Sequence, residues 1–232
     1  MLISELDLKD KKVLVRVDFN VPINKNLEVT DNTRIKSSMK TIMHILKNGG
    51  TCILISHMGR PNGYEKNLSL KNIVGEIEKL LNKKIIFLND CIGDRIEKAC
   101  REAKKGEVVL LENLRFYPEE ELGEVNFAKA LSTIGDIYIN DAFGTAHRNH
   151  ASTGILPTLF KRKKAMGFLL QREVEAIEKV LKNGLPPVLS IIGGAKVSSK
   201  IQILKNLINF VDHLIIGGGM AYTFIKSQGG EI

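Results

Sequence analysis

The sequence has 232 residues, of which 44% are hydrophobic and 26% charged, and its formal net charge is +8 at pH 7. That length fits one large globular domain or two modest ones. The lack of a run of about 18 apolar residues argues against a transmembrane helix, and three cysteines without a CxxC pair argue against a disulfide framework. We expect a cytoplasmic protein, because the charged N-terminus lacks the apolar core of a signal peptide.

The first 165 residues alternate short apolar runs with longer amphipathic stretches. The apolar runs predict strands over 13–17, 52–56, 85–88, 108–111 and 137–139, and the amphipathic stretches predict helices over 33–47, 70–81, 93–103 and 125–133. Runs rich in β-branched residues and leucine, without polar alternation, are typical of strands covered on both faces. Alternating strands and helices imply parallel pairing, so we predict a three-layer α/β/α parallel sheet of the Rossmann-like kind.

A long helix over 168–182 separates this region from a second α/β stretch. There the pattern predicts strands over 188–192 and 213–216 and helices over 197–209 and 220–227. Two strands are too few for a covered parallel sheet, so this second domain is expected to be partial. The predicted organisation is a domain at 1–165, an interdomain helix at 166–184 and an incomplete domain at 185–232.

The basic charge alone fits nucleic acid, a membrane surface or an anionic metabolite as partner, and does not choose among them. Part of it is local, since Lys161-Arg162-Lys163-Lys164 form one basic run that we expect to be a solvated face.

Four arginines lie in loops beside or after predicted strands. Their segments are Asp18-Phe19-Asn20 with Arg34, His57-Met58-Gly59-Arg60, Arg115 and Arg148. Each segment alone also fits a surface arginine or a polar turn. In an open parallel sheet, however, loops after the carboxyl ends of the strands converge on one crevice. Guanidinium groups there would bind a multiply charged anion, and His57 could donate to it, more strongly if protonated.

Two glycine turns follow the strands of the second region. Gly193-Gly194 precedes Lys196 and Lys200, and Gly217-Gly218-Gly219 follows the next strand. Backbone N–H groups at such turns bind phosphate, although a glycine turn that packs a helix onto a sheet looks the same in sequence. The Walker pattern, the GxGxxG pattern, zinc-ligand spacing and the GxSxG pattern are all absent from the sequence.

Taken together, these segments resemble the phosphoglycerate kinase family. The resemblance is carried by VLVRVDFNVP at 13–22, DNTRI at 31–35, SHMGRP at 56–61, ENLRF at 112–116, NDAFGTAHR at 140–148, GGAKV at 193–197 and GGGMAY at 217–222. It implies reversible phosphoryl transfer in glycolysis between 1,3-bisphosphoglycerate and ADP, giving 3-phosphoglycerate and ATP. Such transfer needs positioning and charge neutralisation more than a protein nucleophile.

The resemblance also implies roles for individual residues. It implies catalytic roles for Arg34 and Lys196. The implied substrate-binding residues are Asp18, Phe19, Asn20, Arg34, His57, Met58, Gly59, Arg60, Arg115 and Arg148. The implied nucleotide-binding residues are Gly194, Lys196, Lys200, Gly217, Gly218 and Gly219. MgATP and MgADP are expected as substrates, with Mg²⁺ carried by the nucleotide and no metal ligands within this chain.

Members of the family continue well past the point that matches Ile232. The resemblance therefore implies that the remaining nucleotide sheet and the protein contacts to Mg²⁺ lie in a missing part, and that these 232 residues alone do not turn over. The alternatives are a non-catalytic fragment that binds 3-phosphoglycerate or another anion, and a basic nucleic-acid-binding protein. The latter is supported by charge, but only 6% of the residues are aromatic and no nucleic-acid motif is present. We expect a monomer without nucleic-acid or membrane partners.

Overall fold

The computed structural model describes residues 1–183 and 185–232, without the side chains of 181–183 and 199. The chain divides into two compact units, Met1–Glu173 and Val174–Ile232. The division falls within the long helix, and residue 184, the end of the predicted interdomain segment, lies outside the described residues. The predicted domain limits at 165 and 185 stay predictions.

The first unit contains a six-stranded parallel sheet. Its strands are β1 (Lys12–Val17), β2 (Thr51–Ile55), β3 (Ile85–Phe87), β4 (Val108–Leu110), β5 (Ile137–Asp141) and β6 (Lys164–Met166). They are ordered β3-β4-β2-β1-β5-β6, and every neighbouring pair is parallel. The predicted parallel α/β sheet is therefore confirmed.

Seven helices lie between these strands in the chain, and an eighth follows the last strand. They are α1 (Thr33–Lys47), α2 (Val74–Leu81), α3 (Asp94–Glu102), α4 (Pro118–Leu122), α5 (Val125–Ser132), α6 (Phe143–Ala146), α7 (Leu156–Leu159) and α8 (Phe168–Asn183). Short 3-10 turns occupy Ile3–Glu5, Lys66–Leu68, Leu70–Ile73 and Leu114–Phe116, and a π turn occupies Ala151–Ile155.

Alternating side chains of the strands build two separate cores, one on each face of the sheet. On one face, Val13 and Val15 pack in a cluster with Ile42 of α1. On the other face, Leu14 packs in a cluster with Leu131 of α5. All of these side chains are fully buried, which explains why the strand sequences show no polar alternation. The result is the predicted three-layer arrangement.

Three residues of the basic run at 161–164 are exposed, as expected of a solvated face, and the fourth, Lys164, is partly buried. Lys164 begins β6, which pairs with β5 at the edge of the sheet, with Lys164 opposite Tyr138. The Lys164 ammonium donates a hydrogen bond to the Pro157 carbonyl at 2.8 Å. Lysine is well suited to an edge strand because its charge discourages pairing with another chain.

The second unit has two parallel strands, β7 (Leu189–Gly193) and β8 (His213–Gly217). Two further helices follow them, α9 (Ile201–Leu207) and α10 (Gly219–Ser227). The helix predicted over 197–209 is divided, because a 3-10 turn at Val197–Ser199 ends at Lys200 before α9 begins. As predicted, this α/β unit is small.

Candidate anion-binding site

A cavity of about 370 Å³ lies in the first unit, at the carboxyl ends of β1, β2, β4 and β5. Its lining residues are Asp18, Asn20, Arg34, His57, Gly59, Arg60, Arg115, Gly144, Thr145 and Arg148. The strand order reverses near β1, since β2 lies on one side of it and β5 on the other. Ligand crevices in open α/β sheets form at such reversals. The four arginines converge in one cavity, as their positions in the sequence predict.

Buried polar groups hold the loops after β1 and β2 against each other. The Ser56 hydroxyl accepts a hydrogen bond from the Phe19 amide at 2.9 Å and donates one to the Val17 carbonyl at 2.8 Å. The Asn20 side-chain oxygen accepts from the Gly59 amide at 2.9 Å. Gly59 has φ +62°, which favours glycine, and a Cβ there would lie 2.8 Å from the end of the Leu68 side chain, which would have to move.

Asn113, which is fully buried, ties the loop after β4 to the loop after β2. Its side-chain oxygen accepts hydrogen bonds from the Met58 and Arg115 amides, both at 3.1 Å. Its amide group donates to the carbonyls of Met58 at 2.8 Å and Leu68 at 2.9 Å. Every hydrogen-bonding position of this amide group is used, so both loops have a fixed geometry before any ligand binds.

The four arginines differ in their surroundings. Arg34 is half exposed and donates from Nη1 to Asp18 Oδ2 at 2.7 Å. Arg115 is buried, donates from Nη1 to the Gly59 carbonyl at 2.7 Å, and places Nε 3.0 Å from Glu121 Oε1. Burial lowers the pKa of Arg115 from its usual range. The Nε atom of Arg148 is buried without a hydrogen-bond partner in the described residues.

The cavity carries an excess of positive charge. Four guanidinium groups stand against the one carboxylate of Asp18, which leaves a net charge of three among the lining residues. His57 adds no positive charge to the cavity, since burial and the nearby Arg16, Arg115, Arg34 and His150 lower its pKa to about 2. The imidazole is therefore a neutral donor at physiological pH, and not the protonated one that the sequence left open.

Two of the residues predicted to bind substrate, Phe19 and Met58, have buried side chains. Both side chains belong to a core cluster and are not among the residues that line the cavity. Both belong to motifs in which neighbouring side chains alternate between site and core. Two other residues, Gly144 and Thr145, line the cavity without having been predicted. A Cβ at Gly144 would lie 3.3 Å from Asp18 Oδ2, so this glycine allows the loop after β5 to approach closely.

The predicted nucleotide residues lie in the second unit, where two glycine turns pack together. The Met220 amide donates to the Gly194 carbonyl at 2.8 Å. Gly218 has φ +68°, and a Cβ there would lie 3.0 Å from that carbonyl oxygen. Lys196 and Lys200 flank the 3-10 turn at Val197–Ser199. The Lys200 side chain also lies close to Gly194, because a Cβ there would be 3.0 Å from Lys200 Cε. The two turns thus expose backbone close together, at the carboxyl ends of β7 and β8.

Among the residues that the structure describes, no group of three or more His, Cys, Asp or Glu side chains could hold a metal ion. None of the helices in residues 1–183 and 185–232 has both the length and the apolar character needed to cross a membrane.

Comparison with known proteins gives one consistent result. A sequence model of the phosphoglycerate kinase family matches residues 3–232. The chain is 51% identical over 231 residues to a phosphoglycerate kinase of Moorella thermoacetica, and 47% identical over 228 residues to a cytosolic phosphoglycerate kinase of Triticum aestivum. These matches cover 99% and 98% of this chain but 58% and 56% of the two relatives.

Solved structures agree with the sequence relatives. The phosphoglycerate kinase of Coxiella burnetii superposes with a TM-score of 0.84 at 37% identity, and that of Pyrococcus horikoshii with 0.86 at 28% identity. Each match covers all of this chain and 58% of the other. The chain thus spans a little over half the length of the proteins it matches, and it belongs to the phosphoglycerate kinase family.

Proposed function

We propose that this protein is a glycolytic phosphoglycerate kinase, which transfers a phosphoryl group reversibly between 1,3-bisphosphoglycerate and ADP to give 3-phosphoglycerate and ATP. The observation that carries the proposal is the convergence of four arginines on one cavity. The acid carries a carboxylate and a phosphate, together about three negative charges, which matches the charge excess of the lining residues. Guanidinium forks bind both groups bidentately.

Within this site, Asp18 and Asn20 bind the hydroxyl group of the acid, and Arg60, Arg115 and Arg148 bind its charged ends. The unpaired Nε of Arg148 supports this role. Arg34 is half exposed at the rim, which suits a group that neutralises the transferring phosphoryl. Because phosphoryl transfer depends on such neutralisation, we expect Arg34→Ala to lower kcat of the whole enzyme by about 10²–10³-fold.

The glycine turns of the second unit approach the nucleotide phosphates. Gly194, Gly217, Gly218 and Gly219 supply exposed backbone, and Lys196 and Lys200 supply charge. The close packing of the two turns supports this assignment. MgATP and MgADP are the nucleotide substrates, and the metal arrives with them. A monomeric, cytoplasmic enzyme is part of the proposal, and the name of the cytosolic wheat relative supports its location.

Isothermal titration of the 232-residue chain tests the acid site. We expect 3-phosphoglycerate to bind at one site per chain, and D-glycerate and inorganic phosphate each to bind at least about tenfold more weakly, because each loses one charged end and its guanidinium contacts. Equal affinity for inorganic phosphate and 3-phosphoglycerate would rule out a site for this acid.

A salt series on the same titration separates this function from nucleic-acid binding. If single-stranded DNA binds more tightly than 3-phosphoglycerate at 150 mM salt, the protein is a basic nucleic-acid binder instead. We expect the reverse, since non-specific nucleic-acid affinity falls steeply with salt, whereas shape and hydrogen bonding keep the acid selective.

A further inference from the structure

The ring of His57 faces a buried arginine that does not line the cavity. Arg16, in β1, is 1% exposed and places Nη2 3.2 Å from His57 Nδ1. A guanidinium group has donors only, so Nδ1 must be the acceptor in this contact. In a neutral imidazole the proton then resides on Nε2. Arg16 therefore selects one of the two tautomers of His57.

Arg16 is itself held by a chain of buried hydrogen bonds. Its Nε donates to Ser152 Oγ at 2.9 Å, and its Nη1 donates to the Val17 carbonyl at 2.5 Å. Since Ser152 Oγ accepts from Arg16, its own proton points elsewhere, and it donates to Glu120 Oε1 at 2.5 Å. The direction of every proton in the chain from Arg16 to Glu120 is thus determined.

Glu120 is the buried carboxylate at the end of this network, and it connects to Arg16 through the Ser152 hydroxyl. Its side chain is fully buried, and its second oxygen accepts from the Ser152 amide at 2.9 Å. The Ser152 carbonyl in turn accepts from the Tyr138 hydroxyl at 2.7 Å. A buried guanidinium is strongly destabilising unless hydrogen bonds and an opposite charge compensate it. Here Ser152 of the π turn and the Val17 carbonyl accept hydrogen bonds from Arg16, and the carboxylate of Glu120 in α4 lies one hydrogen bond beyond Ser152.

We propose that Arg16, Ser152 and Glu120 are positioning residues that hold His57 as its Nε2–H tautomer, so that the imidazole offers one fixed N–H donor to the bound anion. The identity of that anion rests on the proposed function, but the tautomer does not. The titratable groups that interact electrostatically with the ring are Arg16 from β1, Arg34 from α1, Arg115 from the turn after β4, and His150. Each of them opposes protonation of the ring.

Long-range ¹H–¹⁵N NMR of the ¹⁵N-labelled chain, without ligand and in chloride buffer, tests the tautomer directly. We expect the His57 signals to show a protonated Nε2 and an unprotonated Nδ1, unchanged between pH 5 and pH 8. A proton on Nδ1, or titration of the ring within this range, would overturn the proposal. This result needs no variant, so it decides the question even if a variant fails to fold.

The variants Ser152→Ala and Glu120→Gln test whether the buried hydrogen-bond network orients His57. We expect each to give a mixture of His57 tautomers and to weaken 3-phosphoglycerate binding by about 5- to 30-fold, as for the loss of one well-placed hydrogen bond. Glu119→Gln is the matched control, since Glu119 is exposed on the same helix and should leave both measurements unchanged.

The two measurements keep this inference separate from the proposed function. Weaker binding with an unchanged tautomer in both variants would mean that the network is only structural, and would overturn the positioning role. If the wild type does not bind 3-phosphoglycerate at all, the proposed function fails, while the tautomer of the free protein still decides whether Arg16 orients His57.

Discussion

The two units of the chain differ in how far they bury their apolar side chains. In Met1–Glu173 both faces of the six-stranded sheet are covered, and Val13, Leu14 and Val15 of β1 are fully inaccessible. In Val174–Ile232 the two-stranded sheet leaves Ile191 69% exposed and Ile215 50% exposed. The same βα pattern therefore yields one sheet that is stabilised on both faces and one that is not.

This difference has a functional meaning, because a charged cavity needs rigid support. Four guanidinium groups repel one another, and only buried contacts such as those of Asn113 hold their loops in place without a ligand. The glycine turns of the second unit rest on far less buried surface. The first unit is therefore preorganised around its cavity, whereas the second unit, in a chain that spans 58% of the length of its relatives, has little buried surface to support its glycine turns.

The largest expected contrast is in hydrogen exchange. Amides of β1, β2 and β5 should exchange at least about 10³-fold more slowly than those of β7 and β8, relative to their intrinsic rates, because strands covered on both faces open only with global unfolding. Mass spectrometry of peptides from the full chain measures both regions in one experiment. Similar protection of the two sheets would show that their difference in burial does not produce a difference in local stability.

Arginine substitutions should affect only the first unit. Arg148→Ala should weaken 3-phosphoglycerate binding by about 1.5–3 kcal/mol, the usual range for hydrogen bonds of a charged group, without changing exchange in β7 and β8. Arg101→Ala is the control, since Arg101 is exposed on α3 and does not line the cavity. Calorimetry that gives both variants the same affinity would refute the site assignment.

A buried carboxyl in the first unit should make stability depend on pH. Asp141 is fully buried and accepts hydrogen bonds from the amides of Leu169 at 2.9 Å and Leu170 at 3.2 Å, at the start of α8. Burial raises its pKa from 3.8 to about 6. Folding therefore takes up a proton at this group, and its stabilising effect is complete below pH 3.8 and lost as the pH rises through 6.

Asp141→Asn removes this dependence. Between pH 7 and pH 4.5 the wild type should gain about 2 kcal/mol of unfolding free energy relative to the variant, from linkage between the two pKa values. Urea unfolding followed by circular dichroism measures the difference. Asp10→Asn is the control because Asp10 is exposed and has φ +57°, which asparagine tolerates. If the unfolding free energies of the wild type and Asp141→Asn differ by a constant amount between pH 7 and pH 4.5, the pKa of Asp141 is not raised.

The smallest effect is expected within the second unit. Gly218→Ala should lower the opening free energy of α10 by about 1–2 kcal/mol, because alanine is strained at φ +68° and its Cβ would meet the Gly194 carbonyl. Gly217→Ala is the matched control, since a Cβ there meets nothing within 4 Å. Hydrogen-exchange rates of the α10 amides distinguish the two variants. Equal loss of protection in both would argue against close packing of the glycine turns at 193–194 and 217–219.

Much of the first unit could be predicted from the sequence because strands and loops leave local signals. Apolar runs located β1, β2 and β5, and the position of each arginine beside or after a strand predicted that Arg34, Arg60, Arg115 and Arg148 would converge. The strand β6 was missed because it has only three residues and begins with Lys164, the last residue of the basic run. The shortest helices, α4, α6 and α7, have four or five residues, too few for a helical period to show.

The network behind His57 could not be predicted, because its members are distant in sequence. Arg16 and Ser152 are 136 residues apart, and only the fold brings them together. One local signal was available: a charged residue inside the apolar run of β1 must find a buried partner. Glu120 gives no such signal, since it lies among other glutamates of α4 and only packing distinguishes it.

An amide NMR titration of the full chain with 3-phosphoglycerate locates the acid site directly. We expect saturable shifts confined to the loops after β1, β2, β4 and β5, with the largest at Gly59, Arg60, Gly144 and Thr145, which line the cavity. The glycine turns at 193–194 and 217–219 should not shift. Shifts centred on those turns or on the basic run at 161–164, with none around the cavity, would contradict an acid site held by the first unit.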